Sequence, residues 1–311
     1  MMNSKKYYSA NDFYREFFGE KVYKISLNGG MSCPNRDGRI SHGGCIFCSE
    51  GGSGDFAANA LFSVTEQINQ SIEKVRTKYK GNRFIAYFQA FTNTYAPVEY
   101  LEKIFTEAIS NPVIAGLSIA TRPDCLEDDK IALISELNRV KPVFVELGLQ
   151  TSNENTAVFI NRGYTNSVFT DAVSRLQAQN IKVIAHVIIG LPGEAFSDYE
   201  NTVRYLSDLN IHGIKLQLLH VLKNTKLFEL YEKGLVKTLD CDEYIDIIVR
   251  LIELLPPEMV VYRITGDGPR RLLAAPLWST DKKNTINKIN RVFEERNTYQ
   301  GRNYHQWQSN Q

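Results

Sequence analysis

VFVELGLQ, residues 143–150, is an apolar run with the length of one buried strand. Its odd-numbered residues are valines and leucines that share one face of a strand, whereas Glu146 and Gln150 lie on the other face. Parallel strands are normally apolar on both faces, because helices cover one side of the sheet and the packed interior fills the other. The run therefore predicts a buried parallel strand with polar groups on one face.

Similar runs occur on both sides of it along the chain. They lie at residues 22–27, 84–90, 113–120, 182–190 and 213–220. Helical patterns separate them at 65–79, 98–110, 127–139, 166–179 and 197–208, with Thr65, Asn166 and Ser197 as predicted N-caps. Such alternation predicts the α/β class, with a parallel sheet and outer helices. Because six units are fewer than a full eightfold barrel has, we expect a partial (β/α)6 TIM-type barrel with a C-terminal extension.

The other strands interrupt their apolar pattern in the same way, on one face only. The residues on that face are Tyr87 and Gln89, then Ser118, Ala120 and Arg122, then Lys215 and Gln217. An unpaired polar group in an apolar interior costs roughly 2–7 kcal/mol. Either these residues satisfy one another in a structural network, or they line a lumen that holds a polar ligand. We favour the lumen.

Composition narrows the class of protein. The chain has 311 residues, of which 43% are hydrophobic and 23% charged, which is typical of a globular protein and excludes disordered, collagen-like and coiled-coil classes. Its 36 basic and 35 acidic residues give no global attraction to nucleic acid or membranes. Residues 1–21 lack a secretory apolar segment, and the most apolar stretch, 183–193, is too short to span a membrane. We expect a cytoplasmic protein that does not contact membranes.

Three of the five cysteines lie in a glycine-rich loop after the first predicted strand. Cys33, Cys45 and Cys48 are separated by eleven residues and then by two. Their thiolates suit a 4Fe-4S cluster with one open iron, a zinc site completed by His42, or a set of free thiols. Loops at this end of a barrel carry the chemistry of barrel enzymes, so we favour the cluster.

Several short motifs together resemble those of a known family. They are Cys45-Ile46-Phe47-Cys48, Thr121-Arg122-Pro123-Asp124, the run from Val145 to Thr151, Asn161-Arg162-Gly163-Tyr164 and Gly190-Leu191-Pro192-Gly193. Their order resembles that of the radical S-adenosylmethionine (radical SAM) superfamily. The wide gap before Cys45 is like that of the branch containing the catalytic subunit of Elongator and its bacterial relatives. The similar region spans residues 25–235, which is most of the chain.

This resemblance implies the cofactors and their ligands. A 4Fe-4S cluster would bind Cys33, Cys45 and Cys48, and S-adenosylmethionine would chelate its open iron. Reduction by an external donor of the flavodoxin or ferredoxin type would yield a 5′-deoxyadenosyl radical. The expected cofactor contacts are Phe47 beside the adenine, Gln89 at the ammonium group, Gln150 and Arg162 at the ribose and carboxylate, and His186 at the lumen.

The chain divides into three predicted parts: a helical N-terminal extension (1–21), a radical SAM core (22–235) and a C-terminal extension (236–311). The last part contains the strand-like run 260–264, which could extend the sheet, and the basic residues Arg263, Arg270, Arg271 and Lys282. Trp278, Tyr299 and Tyr304 lie in the same part of the chain, and basic and aromatic side chains together suit phosphate contacts and base stacking. An amphipathic helix docked through Ile286, Ile289 and Phe293 is the alternative.

Three functions are consistent with these features. The resemblance is closest to bacterial enzymes that act on tRNA and convert carboxymethylaminomethyluridine at the wobble position toward aminomethyluridine. A second possibility is radical chemistry on a small molecule or peptide. A third is a zinc-stabilised RNA-binding protein without catalytic activity.

Overall fold

The computed structural model describes residues 6–52, 54–55 and 57–304. Its strands are β1 (Tyr23–Leu27), β2 (Phe84–Phe88), β3 (Ile114–Thr121), β4 (Val143–Gln150), β5 (Lys182–Ile189), β6 (Gly213–Leu218), β7 (Val221–Leu222), β8 (Val260–Arg263) and β9 (Leu273–Ala275). Strands β1 to β6 and then β8 pair in parallel, in that order, and form a curled half-barrel. The expected parallel partial barrel is thus confirmed. Strands β7 and β9 form a separate antiparallel pair.

The helices surround the half-barrel. They are α1 (Ala10–Phe18), α2 (Val64–Val75), α3 (Val98–Ser110), α4 (Asp128–Val140), α5 (Glu154–Phe159), α6 (Asn166–Ala178), α7 (Phe196–Asp208), α8 (Lys226–Glu232), α9 (Cys241–Leu254) and α10 (Lys282–Glu295). Short 3-10 helices occupy Pro123–Cys125 and Leu277–Thr280. Among the residues that the structure describes, none of the helices has the length and apolar character required to cross a bilayer.

The three predicted N-caps are wrong by one or two residues. The structure places the caps at Ser63, Thr165 and Ala195. At α2 the Ser63 side chain accepts from the amide of Glu66, and the Glu66 carboxylate accepts from the amide of Ser63 at 2.8 Å. This reciprocal capping box stabilises an earlier start than the apolar periodicity indicates.

A seventh strand extends the sheet beyond the predicted end of the core. Strand β8 pairs with β6 through Gly213–Val260 and Ile214–Val261. The division at residue 235 therefore does not coincide with the end of the sheet. Helix α9, which connects the two regions, buries Tyr244, Ile248 and Ile252 in the main core.

Aromatic residues of α1 close the half-barrel at the amino ends of its strands. Phe13 and Tyr14 pack against Phe144, near the start of β4, and against Val260, at the start of β8. The rings of Phe13 and Phe144 meet edge to face with their centroids 6.0 Å apart. Because this end is filled with aromatic side chains, a ligand has to enter from the carboxyl ends of the strands.

The edge of strand β8 is covered by the residues that precede α1. The amide of Val261 donates to the carbonyl of Tyr8 at 2.8 Å, and Ser9 forms a parallel bridge to Val261. Gln300 fixes this segment: its Oε1 accepts from the amide of Tyr8 at 2.8 Å, while its Nε2 donates to the carbonyl of Met259, also at 2.8 Å. The two ends of the described chain therefore meet beside β8.

Candidate active site

The half-barrel encloses a cavity of about 550 Å³ that opens at the carboxyl ends of the strands. This volume is within the range of small-molecule and cofactor sites. Side chains of all seven parallel strands line it, among them Ser26, Tyr87, Gln89, Ala120, Gln150, Lys215, Gln217 and Arg263. The lumen expected from the interrupted strand patterns is therefore present.

The three loop cysteines line the same cavity. Cys33, Cys45 and Cys48 follow β1, and the amide of Cys48 donates to the carbonyl of Cys45 at 3.0 Å. The Arg36 guanidinium donates to the carbonyl of Cys48 at 2.9 Å, and the side chain of Asn161 donates to the carbonyl of Gly44 at 2.8 Å. The loop that carries the cysteines is thus held by side-chain hydrogen bonds to its backbone.

Two glycines let this loop fold closely over the cavity. Gly44 and Gly52 have φ angles of 82° and 57°. A Cβ at Gly52 would lie 2.2 Å from the ring of Phe91, and one at Gly44 would lie 2.9 Å from Nε of Arg36. Both positions therefore require glycine, because they combine a left-handed backbone with a close approach.

The cysteine geometry tests the alternatives of a cluster and of a single zinc ion. Within residues 6–52, 54–55 and 57–304, no three His, Cys, Asp or Glu side chains converge closely enough to hold one metal ion. His42 does not line the cavity but pairs with Asp37 in the loop. A zinc site with His42 is therefore not supported. Thiols spread around one cavity fit a larger group in which each sulfur binds a different iron.

The environment of Cys45 also fits a bound cluster. Burial raises the pKa of its thiol to about 12, and the negative charge of a Cys48 thiolate adds to this shift. The side-chain amide nitrogen of Asn35 lies 3.7 Å from the sulfur of Cys45 and can donate to it. Metal binding deprotonates a coordinating thiol outright, so a cluster offsets the cost of a buried thiolate.

Four of the predicted cofactor residues, Phe47, Gln89, Gln150 and His186, line this cavity. The backbone of Gln150 is left-handed, with a φ of 64°, at the end of β4. Its Oε1 accepts from the hydroxyl of Tyr164 at 3.3 Å. The structure gathers these residues with the cysteines, while their contacts with cofactor atoms stay predictions.

The predicted role of Arg162 has to be corrected. Its side chain is 1% exposed and lies outside the cavity lining. Its guanidinium donates to the carbonyls of Leu149, Thr151 and Tyr164 and to the side chains of Glu154 and Asn166, at 2.8–3.1 Å. With its donors used in this way, Arg162 fixes the end of β4 and is not available to a ligand carboxylate.

A different arginine, Arg122, faces the cavity. It forms a two-pronged ion pair with Asp124 at 2.9 and 2.7 Å, and its guanidinium lies 4.8 Å from the ring centre of Tyr164. The sequence signal for this pair was the Thr-Arg-Pro-Asp motif, in which the two charges are two residues apart.

Below the cysteines lies a group of hydrogen-bonded polar and charged residues that we call the Glu146 cluster: Glu146, Lys24, Ser118, His186 and Lys215. One carboxylate oxygen of Glu146 accepts from Lys24 at 2.6 Å and from Ser118 at 2.5 Å. The other accepts from His186 at 2.6 Å and from Lys215. The expected structural network and the expected lumen therefore coexist, since Glu146, His186 and Lys215 also line the cavity.

Sequence reasoning missed Lys24, which is the partner of Glu146 on β1. Its side chain is 21% exposed, and its ammonium also lies 4.6 Å from the ring centre of Tyr87. A lysine in the middle of the first apolar run, at residues 22–27, is the sequence feature that indicates a buried partner charge.

Burial and neighbouring charges shift the pKa values in this cluster. Burial favours protonation of Glu146, but the Lys215 and Lys24 ammonium groups outweigh it and hold the pKa of Glu146 well below its usual value. Burial lowers the pKa of Lys215 to about 7, aided by repulsion from Lys24 and Arg263 and opposed by Glu146. Burial likewise lowers the pKa of His186 to about 4, so its imidazole is neutral near pH 7.

The predicted basic substrate residues do not form one surface. Arg263 lines the cavity and donates to Gln217 at 3.2 Å, whereas Lys282 pairs with Asp267 at 2.5 Å. Arg270 and Arg271 are exposed and follow directly on Gly266 to Pro269, which line the cavity. The segment thus brings positive charge to the rim of the cavity.

Trp278 is not available for base stacking. Its indole packs on Tyr244, with ring centres 5.6 Å apart, and donates to the carbonyl of Leu239 at 3.1 Å. Helix α10 buries Ile289 and Phe293, as the amphipathic alternative predicts. Tyr299 remains exposed.

We expect the free energy of unfolding to fall as the pH is lowered from about 6.5 toward 4. The pKa of His186 is about 4 in the folded protein and 6.5 in the unfolded chain. Between these values the unfolded chain binds more protons, so acid favours it. At about pH 5 this residue alone lowers the free energy of unfolding by about 2 kcal/mol. Urea titrations at about pH 7.5 and pH 5 measure the change.

The matched variant for this experiment is His186→Gln, which keeps a donor for Glu146 but does not titrate. Burial also lowers the pKa of His212 and His220 to about 4, so the variant retains part of the acid sensitivity. An equally large loss of stability in His186→Gln and the parent protein would contradict the assignment to His186.

Comparison with known proteins agrees with the fold. The family described as "Radical SAM superfamily" matches residues 36–206, and "Radical_SAM C-terminal domain" matches residues 211–295. The Bacillus subtilis protein YtqA is 45% identical over 298 residues, which are 96% of this chain and 92% of that protein. Elongator complex protein 3 of Bos taurus is 27% identical over 235 residues, which are 68% of this chain and 40% of that protein.

Among solved structures, that of archaeal Methanocaldococcus infernus Elp3 superposes with a TM-score of 0.68. It is 17% identical, and the match covers 92% of this chain and 67% of that one, so it supports the fold alone. The chain therefore belongs to the radical SAM superfamily, and the 4Fe-4S cluster and S-adenosylmethionine expected from the sequence are the cofactors of this family.

Proposed function

We propose that this radical SAM enzyme acts on tRNA and converts carboxymethylaminomethyluridine at the wobble position toward aminomethyluridine. One observation carries the proposal: a single cavity reaches from the three cysteines to the cationic side chains of Lys215 and Arg263. It offers a modified base both a radical source and counter-charges. The similarity to Elongator complex protein 3 supports the same function.

When bound, the cluster and S-adenosylmethionine supply a 5′-deoxyadenosyl radical that removes a hydrogen atom from the substrate. The chain's own residues position the reactants and exclude water. Arg36 and Asn161 hold the cysteine loop through its carbonyls, and Phe47 and Gln150 provide cofactor contacts. Helix α1 closes the opposite end of the barrel, which protects a reactive radical from solvent.

Positive charge at the rim of the cavity favours tRNA over a small molecule. Arg270 and Arg271 are exposed beside the turn that lines the cavity, where they suit contacts to backbone phosphates. An unstacked base would then enter from the carboxyl ends of the strands. We assign this contact to the extension of residues 236–311, and the electron to a donor of the flavodoxin or ferredoxin type.

The nucleoside profile of tRNA tests the proposal. A strain that lacks the gene should accumulate carboxymethylaminomethyluridine and lose aminomethyluridine and its derivatives, as measured by mass spectrometry of digested tRNA. The gene should restore the profile, and a Cys45→Ala gene should not. An unchanged profile in the deletion strain would overturn the proposal and favour a small molecule or peptide. Colourless protein with one zinc ion and no iron would overturn radical chemistry as well.

A further inference from the structure

Two cationic side chains lie next to each other inside the cavity. Lys215 of β6 and Arg263 of β8 are register partners in the parallel sheet, and both line the cavity. The Lys215 side chain is 6% exposed and that of Arg263 is 31% exposed. Like charges on neighbouring positions of adjacent strands repel each other unless an anion lies between them.

Within the part of the chain that the structure describes, too little negative charge faces this pair. The Glu146 cluster contains one carboxylate, that of Glu146, and its two oxygens are shared between Lys24 and Lys215. The Asp267 carboxylate is 3.9 Å from Arg263 but only 2.5 Å from Lys282, so it pairs mainly with the lysine. A surplus of positive charge therefore remains between β6 and β8, although burial lowers the pKa of Lys215 to about 7 and leaves part of its population neutral near pH 7. An anion bound beside Lys215 would favour its charged form.

The other titratable groups around Lys215 do not offset this surplus. His186 on β5 is neutral, because burial lowers its pKa to about 4. Lys24 on β1 stays charged: burial lowers its pKa, but Glu146 raises it above the usual value. Burial raises the pKa of Tyr14 on α1, Tyr87 on β2 and Tyr262 on β8, so these phenols stay protonated.

We propose that Lys215 and Arg263 form a subsite for the carboxylate of the wobble side chain, and so select the carboxymethylaminomethyl group as substrate. This inference rests on the function proposed above. A planar guanidinium binds a carboxylate through two parallel hydrogen bonds, and a lysine adds a point charge. The product, aminomethyluridine, lacks the carboxymethyl group and ends in a cationic amine, which the same two residues repel, so the subsite also favours product release.

Depth in the cavity distinguishes this carboxylate from an RNA phosphate. Lys215 as a whole residue is 4% exposed, at the level of Glu146 and His186. A backbone phosphate is flanked by two sugars and needs an open groove. A terminal carboxymethyl group is narrow and reaches a buried ammonium at the end of a base side chain.

Binding of two RNAs tests the subsite. The probes are anticodon stem–loops that carry either carboxymethylaminomethyluridine or aminomethyluridine at the wobble position. Their affinities are measured by fluorescence anisotropy with the full, cofactor-loaded chain and without reductant, so that no turnover occurs. We expect the parent protein to bind the carboxylated RNA about tenfold or more tightly than the other.

The variants Lys215→Met and Arg263→Gln should each bring this ratio close to one, mainly by weakening the carboxylated RNA. Lys103→Met makes the same chemical change as Lys215→Met on the exposed face of α3 and should leave the ratio unchanged. Arg263 is the more exposed of the pair, so Arg263→Gln tests the subsite even if Lys215→Met does not fold.

Three outcomes would overturn the subsite. The variants would retain the parental ratio, or they would weaken both RNAs equally, as phosphate contacts do, or they would lose affinity for S-adenosylmethionine alone and thus mark a cofactor contact. Failure of the proposed function is visible separately, as an unchanged tRNA profile in the deletion strain. A changed profile together with a retained ratio would reject only the subsite.

Discussion

Cys45→Ala yields a folded protein that forms no 5′-deoxyadenosine above background when reduced with S-adenosylmethionine. The three cysteines line one cavity and no other described cysteine does, so a lost thiolate has no replacement there. Each thiolate would bind one iron of the cluster, so its loss would leave the cluster incomplete. Iron and sulfide analysis of anaerobically reconstituted protein, together with chromatographic detection of 5′-deoxyadenosine, measures the effect.

Cys241→Ala is the matched control for this variant. Cys241 begins helix α9, is partly exposed and does not line the cavity. Its replacement should leave the iron content and the yield of 5′-deoxyadenosine unchanged. Full activity of Cys45→Ala, or an equal loss in both variants, would remove the basis for assigning the cluster to the loop after β1.

Glu146→Gln lowers the free energy of unfolding by about 3–5 kcal/mol, because breaking a buried ion pair leaves its partner charge uncompensated. The Glu146 side chain is fully buried and is the shared acceptor for Lys24, Ser118, His186 and Lys215. An amide keeps the shape and one acceptor oxygen but loses the charge. Urea unfolding of the parent and variant at neutral pH measures the difference.

The double variant Glu146→Gln with Lys24→Met identifies the cause of this loss. Removing the second charge should recover part of the stability, because one buried cation no longer lacks a counter-ion. If the loss of unfolding free energy in the double variant equals the sum of the losses in Glu146→Gln and Lys24→Met, the two residues do not interact. A change below about 1 kcal/mol in the single variant would contradict the cluster as a stabilising element.

The strands were predictable to within about two residues because buried parallel strands are apolar runs of limited length. For β4 the predicted range, 143–150, equals the observed one. Strand β8 was harder to assign to the core. It has only four residues and follows helix α9, so its place beside β6 depends on pairing that no local pattern displays.

The candidate site was predictable where several residues of one type are close in sequence, as with Cys45 and Cys48. It was not predictable where partners are distant. Lys24 and Glu146 are 122 positions apart, and only the curvature of the sheet brings them together. The predicted contact of Arg162 with the cofactor is not supported for a related reason. The partners of Arg162 are mainly backbone carbonyls, which have no signature in the sequence.

The cover over the edge of β8 has a consequence for self-association. An unprotected edge strand offers free amides and carbonyls to any second chain and is a common origin of aggregation. Here Tyr8 and Ser9 occupy that edge, and Gln300 holds them in place. Trimming the chain past Ser9 would therefore promote edge-to-edge pairing and precipitation, even though the cavity and its cysteines lie at the far end of the barrel.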